Sequence, residues 1–227
     1  MKKILFVFVI VLATFAQKSD VGSILDQYGI NHSFLETAVK DASADYSFDM
    51  VLTSQNSSDN KTTISKASFD PTQKIGERWN LLAVNGEKPS KKEIRSFSKH
   101  HNSTEQRDGK IDSSSWSVVS DNEKTLVISF HYLAESLPHK QAFLGDCTGL
   151  ITFDKATKKP IGAQFTNDKT LHVKIFTVSE LKMDVEYSTD FAEPLMTKEK
   201  TKMAVSLLGT NMTVTEESVY SNYKKVK

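Results

Sequence analysis

His100 and His101 are the one adjacent pair among six histidines, and paired imidazoles are where a metal site would first be sought. Neighbouring residues on a helix point in different directions, so the pair chelates poorly, and no cysteine lies nearby to complete a ligand set. His32, His131, His139 and His172 stand at no ligand spacing. Serine is plentiful, yet no G-x-S-x-G elbow occurs. The S-x-x-K at Ser96–Lys99 lacks the partner motifs that would make its serine a nucleophile. Asp and Glu are scattered along the polar sides of alternating runs, with nothing to say which two converge. Gly149 and Gly162 are isolated, so no glycine-rich phosphate loop exists. Cys147 is the single cysteine and reads as a buried, inert thiol. Asn-x-Ser/Thr at Asn31, Asn56, Asn60, Asn102 and Asn211 is what a Ser/Thr-rich chain produces by chance. The residues predict no enzyme, no cofactor and no metal.

The elements that must position these groups are mostly strands. Phe69–His101, FDPTQKIGERWNLLAVNGEKPSKKEIRSFSKHH, is the organising stretch. Asp70-Pro71 and Asn85-Gly86 mark turns. Trp79, Leu81 and Ala83 alternate with Arg78, Asn80 and Leu82, as on a strand with one apolar face. Ser90-Lys91-Lys92-Glu93 matches a capping box, with Ile94 and Phe97 on one face of the helix that follows. A second helical region spans 17–42. Val21, Ile24, Leu25 and Tyr28 hold helical spacing, Gly29 interrupts, and Ser33-Phe34-Leu35-Glu36 restarts the stripe through Ala38 and Val39.

Tyr46, Phe48, Met50 and Leu52 alternate cleanly, then the chain turns at Gln55–Lys61 and returns over Thr62–Phe69. Asn102–Ser115 reads as an exposed connection before a short strand at Trp116–Val119 and a stronger one at Lys124–Leu133. Leu137–Asp146 reads as a loop. Cys147–Phe153 and Ile161–Phe165 form a hairpin around Asp154–Pro160. Leu171–Val178 and Leu181–Tyr187 follow, either two strands with a bend at Ser179-Glu180 or, since no Gly or Pro marks it, one long, bent strand. Glu193–Lys200 reads as a polar loop, Met203–Leu208 and Asn211–Tyr220 as the last pair, and Ser221–Lys227 as a fraying basic tail. About ten strands without βαβ alternation predict an antiparallel sheet, with the helices as its cover.

The chain opens MKKILFVFVIVLATFA, which predicts a secretory signal peptide over 1–16 and a single domain over 17–227. The nine-residue apolar run Ile4–Leu12 is short for a membrane span. No cysteine stands just after Ala16, so lipid acylation there is not expected, and the predicted location is the periplasm or the exterior. Loss of 1–16 removes two lysines and no acid, taking the net charge from +1 to −1. Such a balance argues against nucleic acid as a partner. The remaining ~210 residues suffice for one sizeable core without disulfides.

The apolar faces carry Phe48, Met50, Trp79, Leu81, Ile94, Phe97, Phe130, Tyr132, Phe165 and Leu207, together with Phe153 and Phe176. They line either a packed core or a ligand cavity, and periodicity does not separate the two.

The run FDPTQKIGERWNLLAVNGEKPSKKEI resembles a recurrent segment of exported bacterial proteins. Gly149–Phe153 with Asp154-Lys155-Ala156-Thr157 resembles their hairpin, and Val219-Tyr220-Ser221-Asn222-Tyr223 their final strand. The element order is similar to the LolA/LolB-like lipoprotein-carrier fold. That resemblance implies an α+β half-barrel, a strongly curved antiparallel sheet wrapped around helices and an apolar cavity. It implies an exported binding protein for an acyl chain, lipid or lipoprotein. The alternative is an envelope interaction or assembly module with a packed core and a protein partner.

Overall fold

The computed structural model describes residues 20–37, 45–101, 109–137, 139–173, 176–207 and 209–226. The signal peptide expected over 1–16, the helical extension through Ala38 and Val39, and the first half of the connection from Asn102 lie outside those residues.

Helix α1, Val21–Tyr28, begins where Asp20 accepts from the Gly22 N–H at 3.1 Å. It stops at Gly29, whose φ of 63° is the left-handed cap that a side chain would strain. Helix α2, Ser33–Thr37, follows. Its first N–H is met by the Asn31 side chain at 2.9 Å. Helix α3, Lys91–His101, has the predicted capping box in full. The Ser90 N–H donates to Glu93 Oε2 at 2.7 Å, and the Glu93 N–H donates to Ser90 Oγ at 3.3 Å. Ser90→Ala is expected to lower Tm by about 2–4 °C and to speed amide exchange in the first turn of α3, read by hydrogen–deuterium exchange.

Eleven strands are described: β1 Tyr46–Asn56, β2 Lys61–Phe69, β3 Trp79–Val84, β4 Ile111–Asp121, β5 Thr125–Tyr132, β6 Cys147–Asp154, β7 Lys159–Asn167, β8 Leu171–Val173, β9 Phe176–Ser188, β10 Leu195–Leu207 and β11 Thr210–Lys225. They form one antiparallel sheet in the order β3-β2-β1-β11-β10-β9-β7-β6-β5-β4, with β8 beside β9. The sheet is open, with β3 and β4 at its edges. The architecture is mostly β, with few helices. The last strand pairs with the first, Met50 opposite Tyr220, which brings the two ends of the domain to the middle of the sheet.

Register assigns every side chain to one of two faces, because cross-strand partners project to the same side. Met50, Ala67 and Leu81 share a face with Tyr220. Through Thr201, Met203 and Leu181 that face continues to Phe165, Ile151 and Ile128. All three buried clusters lie on this inner face. α1 and α2 cover the β4–β9 side, where Leu25 and Leu35 are buried against Leu126, Ile128 and Phe153. The segment Phe143–Leu144 covers Cys147, Leu171, Val178 and Leu181. α3 covers the opposite end, through Phe97 on Met50, Ala67 and Leu81.

Four readings are corrected. The polar run at 195–200 is strand, not loop, because its lysines project outward: Lys198 and Lys200 meet Glu217 at 3.2 and 3.8 Å, and Lys202 meets Glu180 at 3.3 Å. Hydropathy alternation is weak there because charge does the alternating. The tail through Lys225 is paired, Lys225 opposite Tyr46, and a bulge at Asn222 with φ 58° turns Tyr223 inward, where its hydroxyl donates to the Met196 carbonyl at 2.6 Å. Ser113–Ser115 belong to β4, where Ser115 Oγ takes the His131 N–H at 2.8 Å across an irregular register. Leu171–Val178 is not one strand, since Leu171–Val173 and Phe176–Val178 pair antiparallel with each other, and of the two readings at Ser179-Glu180 the long, bent strand is the one that forms, with Ser179 a bulge in β9. The Asn167 side chain bridges the break between β7 and β8, accepting from Leu181 N–H at 2.7 Å and donating to the Lys169 carbonyl at 2.8 Å.

A clamp holds α1 to the strand turns. Lys155 Nζ lies 3.9 Å from the Tyr28 ring centre and bonds Asp121, which also accepts from the Tyr28 hydroxyl at 3.0 Å. The Lys155 bond, with that of Tyr28, holds the Asp121 carboxyl below its ordinary 3.8. Hydroxyl and amide donors do the same for Asp70, Glu93, Asp154 and Glu193. A folded-state pKa below the unfolded value adds stability above the unfolded pKa and loses it as pH falls through the folded one. The urea midpoint is therefore expected to hold from neutrality to about pH 5 and to drop below that, the Glu groups going first and the Asp groups after.

Candidate ligand-binding face

Apart from Ile94 and Leu207, the predicted cavity residues separate into two groups at opposite ends of the inner face. At the β1–β3 end, Phe48 stacks on Phe69 at 4.9 Å between ring centres and meets Trp79 at 5.4 Å, Tyr220 at 5.7 Å and Tyr223 at 5.1 Å. Trp79 carries the network to Phe97 at 6.2 Å, and Phe97 stacks on His101 at 3.9 Å. His101 Nδ1 lies 3.1 Å from the Phe97 carbonyl, an acceptor only, so that nitrogen carries the proton. Half of the histidine pair is thus a packing residue. Met50 and Leu81 are buried beneath these rings. Ile94, one turn earlier on α3, is 46% exposed and stands apart from the group. Next to Phe48 and Phe69 a hollow of about 540 Å³ opens to solvent, rimmed by Asp49, Asp70, Thr72, Asn222 and Lys224.

At the β5–β7 end, Phe130, Tyr132 and Phe165 meet at 5.7–6.1 Å between ring centres. This end is filled. Phe130 is fully buried and occupies the space over Gly149, whose missing Cβ would sit 2.4 Å from the ring. Phe153 is equally buried, and α1 closes the cluster.

Between the two ends lies a stretch that neither helical cover fills. Leu207, Met212 and Val214 face inward there and are half-buried, while Leu52 and Tyr220 pack against the α3 cluster and Met203 and Val205 against the one under Phe143–Leu144. Leu207 sits beside the turn into β11, opposite Thr210. The same stretch carries an unpredicted polar island. Thr201, only 8% exposed, lies between Met183 on β9 and Glu216 on β11, and Glu199 lies two residues along β10 on the same side. Burial, with the Glu199 charge beside it, pushes the Tyr187 phenol up to about 12, so it stays a donor. The signal for this island is the period-two pattern of Lys198, Lys200 and Lys202, which dictates that Glu199 and Thr201 face the other way.

Other candidate groups are structural. The Cys147 thiol is buried, lies 3.6 Å from the Phe143 carbonyl, and is pushed up to about 11 by burial and by Asp168 and Asp146. A thiol held protonated and out of solvent does not react. 5,5′-Dithiobis(2-nitrobenzoate) at pH 8 is expected to label Cys147 only in urea. His131 Nδ1 lies 3.2 Å from the Cys147 carbonyl, and His32 Nε2 lies 2.9 Å from Asp26. Among the described residues no three His, Cys, Asp or Glu side chains converge as a metal site would require.

Fold and face together define an open antiparallel sheet protein with one partly covered apolar side. No protein-family model matches this chain, and no curated protein matches it.

Proposed function

We propose that this chain is an exported binding protein, LolA/LolB-like in architecture, that holds an acyl chain, a lipid or the lipid of a lipoprotein on the inner face of a curved sheet. Its expected place is the periplasm or the exterior, after loss of 1–16, and its expected role is binding rather than catalysis. One observation carries the reading: between the packed clusters the inner face keeps apolar, half-buried side chains, Leu207, Met212 and Val214, that belong to none of them. A sheet face that served only as a core would be closed along its whole width, since each apolar Å² left in water forfeits about 25 cal/mol. A slot of that character suits an alkyl chain.

Native mass spectrometry of the protein purified from its own host tests this. A mass excess matching a lipid or acylated species is expected. A bare polypeptide mass, with no uptake of added lipid, overturns it.

The second reading, an envelope interaction module with a packed core, is favoured by the filling at Phe130 and by the two open sheet edges, β3 and β4. Recovery of one protein partner and no lipid would support it over the first.

A further inference from the structure

The outward side of α3 carries a charge that the chain as a whole conceals. Between Lys74 and His101 stand seven lysines and arginines and three glutamates, a local balance of +4 inside a chain whose formal net charge is +1. Four of those cations, Lys91, Lys92, Arg95 and Lys99, are on α3 itself and are exposed. Phe97 is buried and fixes the inner side of the helix. At about 100° per residue, Lys92, Arg95 and Lys99 lie within about 40° of the direction opposite Phe97, with Lys91 just outside them. Like charges at these spacings repel, so the stripe adds nothing to the helix itself. The lysines of the sheet's outer face are matched, Lys198 and Lys200 by Glu217 and Lys202 by Glu180. Among the described residues no carboxylate lies within 4.0 Å of Lys91, Lys92, Arg95 or Lys99. Glu93, the one acid of α3, is turned back onto Ser90, accepting from its N–H and from its hydroxyl at 2.7 Å each. Ile94 lies on the flank between Lys91 and Phe97 and is 46% exposed.

We propose that the outer side of α3 docks this protein on a bilayer that contains anionic phospholipid. Lys91, Lys92, Arg95 and Lys99 meet the phosphates, and Ile94 reaches the level beneath them. Unpaired cations in one stripe on a convex helix surface suit a planar array of phosphates, and an exposed isoleucine at their edge suits the acyl boundary. A peptide partner is gripped in a groove or added to a sheet edge, and the outer side of a helix is neither. Docking this way sets the β1–β3 end, which α3 covers through Phe97, against the membrane. The inference needs no lipid on the inner face, so it stands or falls apart from the lipid-binding reading.

The test is cosedimentation of the full chain with vesicles of phosphatidylcholine alone and with vesicles of phosphatidylcholine and phosphatidylglycerol in equal parts. The chain is expected to prefer the mixed vesicles and to lose that preference as salt is raised. Lys92→Gln, Arg95→Gln and Lys99→Gln together are expected to weaken binding to the mixed vesicles about a hundredfold. Lys182→Gln, Lys198→Gln and Lys200→Gln remove the same charge from the sheet's outer face and are expected to weaken it no more than about threefold. Both triple variants keep residues 1–16 and have the same net charge, so neither the apolar N-terminal run nor bulk charge accounts for a difference between them. Equal binding to the two vesicle types, or an equal loss in the two triple variants, overturns the proposal. Capture on immobilised polyglutamate without binding to either vesicle also overturns it, in favour of an acidic protein partner. The vesicle comparison on the unaltered chain decides against the proposal even if a variant does not fold.

Discussion

Phe130→Ala is expected to lower the unfolding free energy by about 3–5 kcal/mol. Phe130 is fully buried, touches Tyr132 and Phe165, and caps Gly149 on the neighbouring strand. Its removal leaves a void in the most densely filled part of the sheet, where α1 and three strands meet and cannot all collapse inward. For a chain of this size such a loss lowers Tm by about 10 °C. The reciprocal change sharpens the argument. Gly149→Ala puts a methyl 2.4–2.8 Å from three ring carbons of Phe130, so the ring must shift, at a cost of about 1–3 kcal/mol. The double variant Phe130→Leu/Gly149→Ala is expected to be more stable than the sum of its single costs, because the smaller side chain yields the space the methyl needs. Urea unfolding of the four proteins measures this. Strict additivity would mean that the ring and the glycine are not in contact.

Phe48→Ala is expected to cost a similar ~3–5 kcal/mol, by a different route. Phe48 is the hub of the aromatic network, within 4.9–5.7 Å of Phe69, Trp79, Tyr220 and Tyr223. Offset and edge-on ring pairs add about 0.5–1.5 kcal/mol each beyond area burial. Its loss also deepens the hollow beside Asp49 and Asn222. Trp79 borders the ring, so its fluorescence is expected to shift to the red in the folded state, read in a Trp116→Phe background because Trp116 packs against the Phe130 cluster. The two clusters share no residue, so Phe48→Ala and Phe130→Ala are expected to add within about 0.5 kcal/mol. A large departure would show that the ends of the sheet are coupled through β10 and β11.

Much of the fold was legible in the sequence. The box at Ser90–Glu93 needs no tertiary contact to define a helix start, since both bonds lie within four residues. Alternation at Tyr46–Leu52 and Leu126–Tyr132 named the buried face of β1 and β5 correctly, because a half-buried strand must repeat every second residue. Where the polar face carried ion pairs instead of mixed residues, as over Lys198–Lys202, hydropathy misread a strand as a loop. Where pairing came from a partner some 175 residues away, as for Tyr223 against β1, local sequence suggested a fraying end. The candidate face was less legible. Phe48 and Phe130 have the same periodic signature, yet one borders an open hollow and the other fills its space.

What the sequence by itself determined is which side of each strand is greasy, where α3 starts, and that the sheet runs antiparallel. These follow from short-range spacing and from the lack of crossover helices. Only the tertiary structure decided the strand order, the pairing of β1 with β11, the placement of α1 and α3 at opposite ends, and the convergence of Glu199, Thr201 and Glu216. Such pairings depend on contacts between residues distant in sequence, whose energy no local pattern encodes.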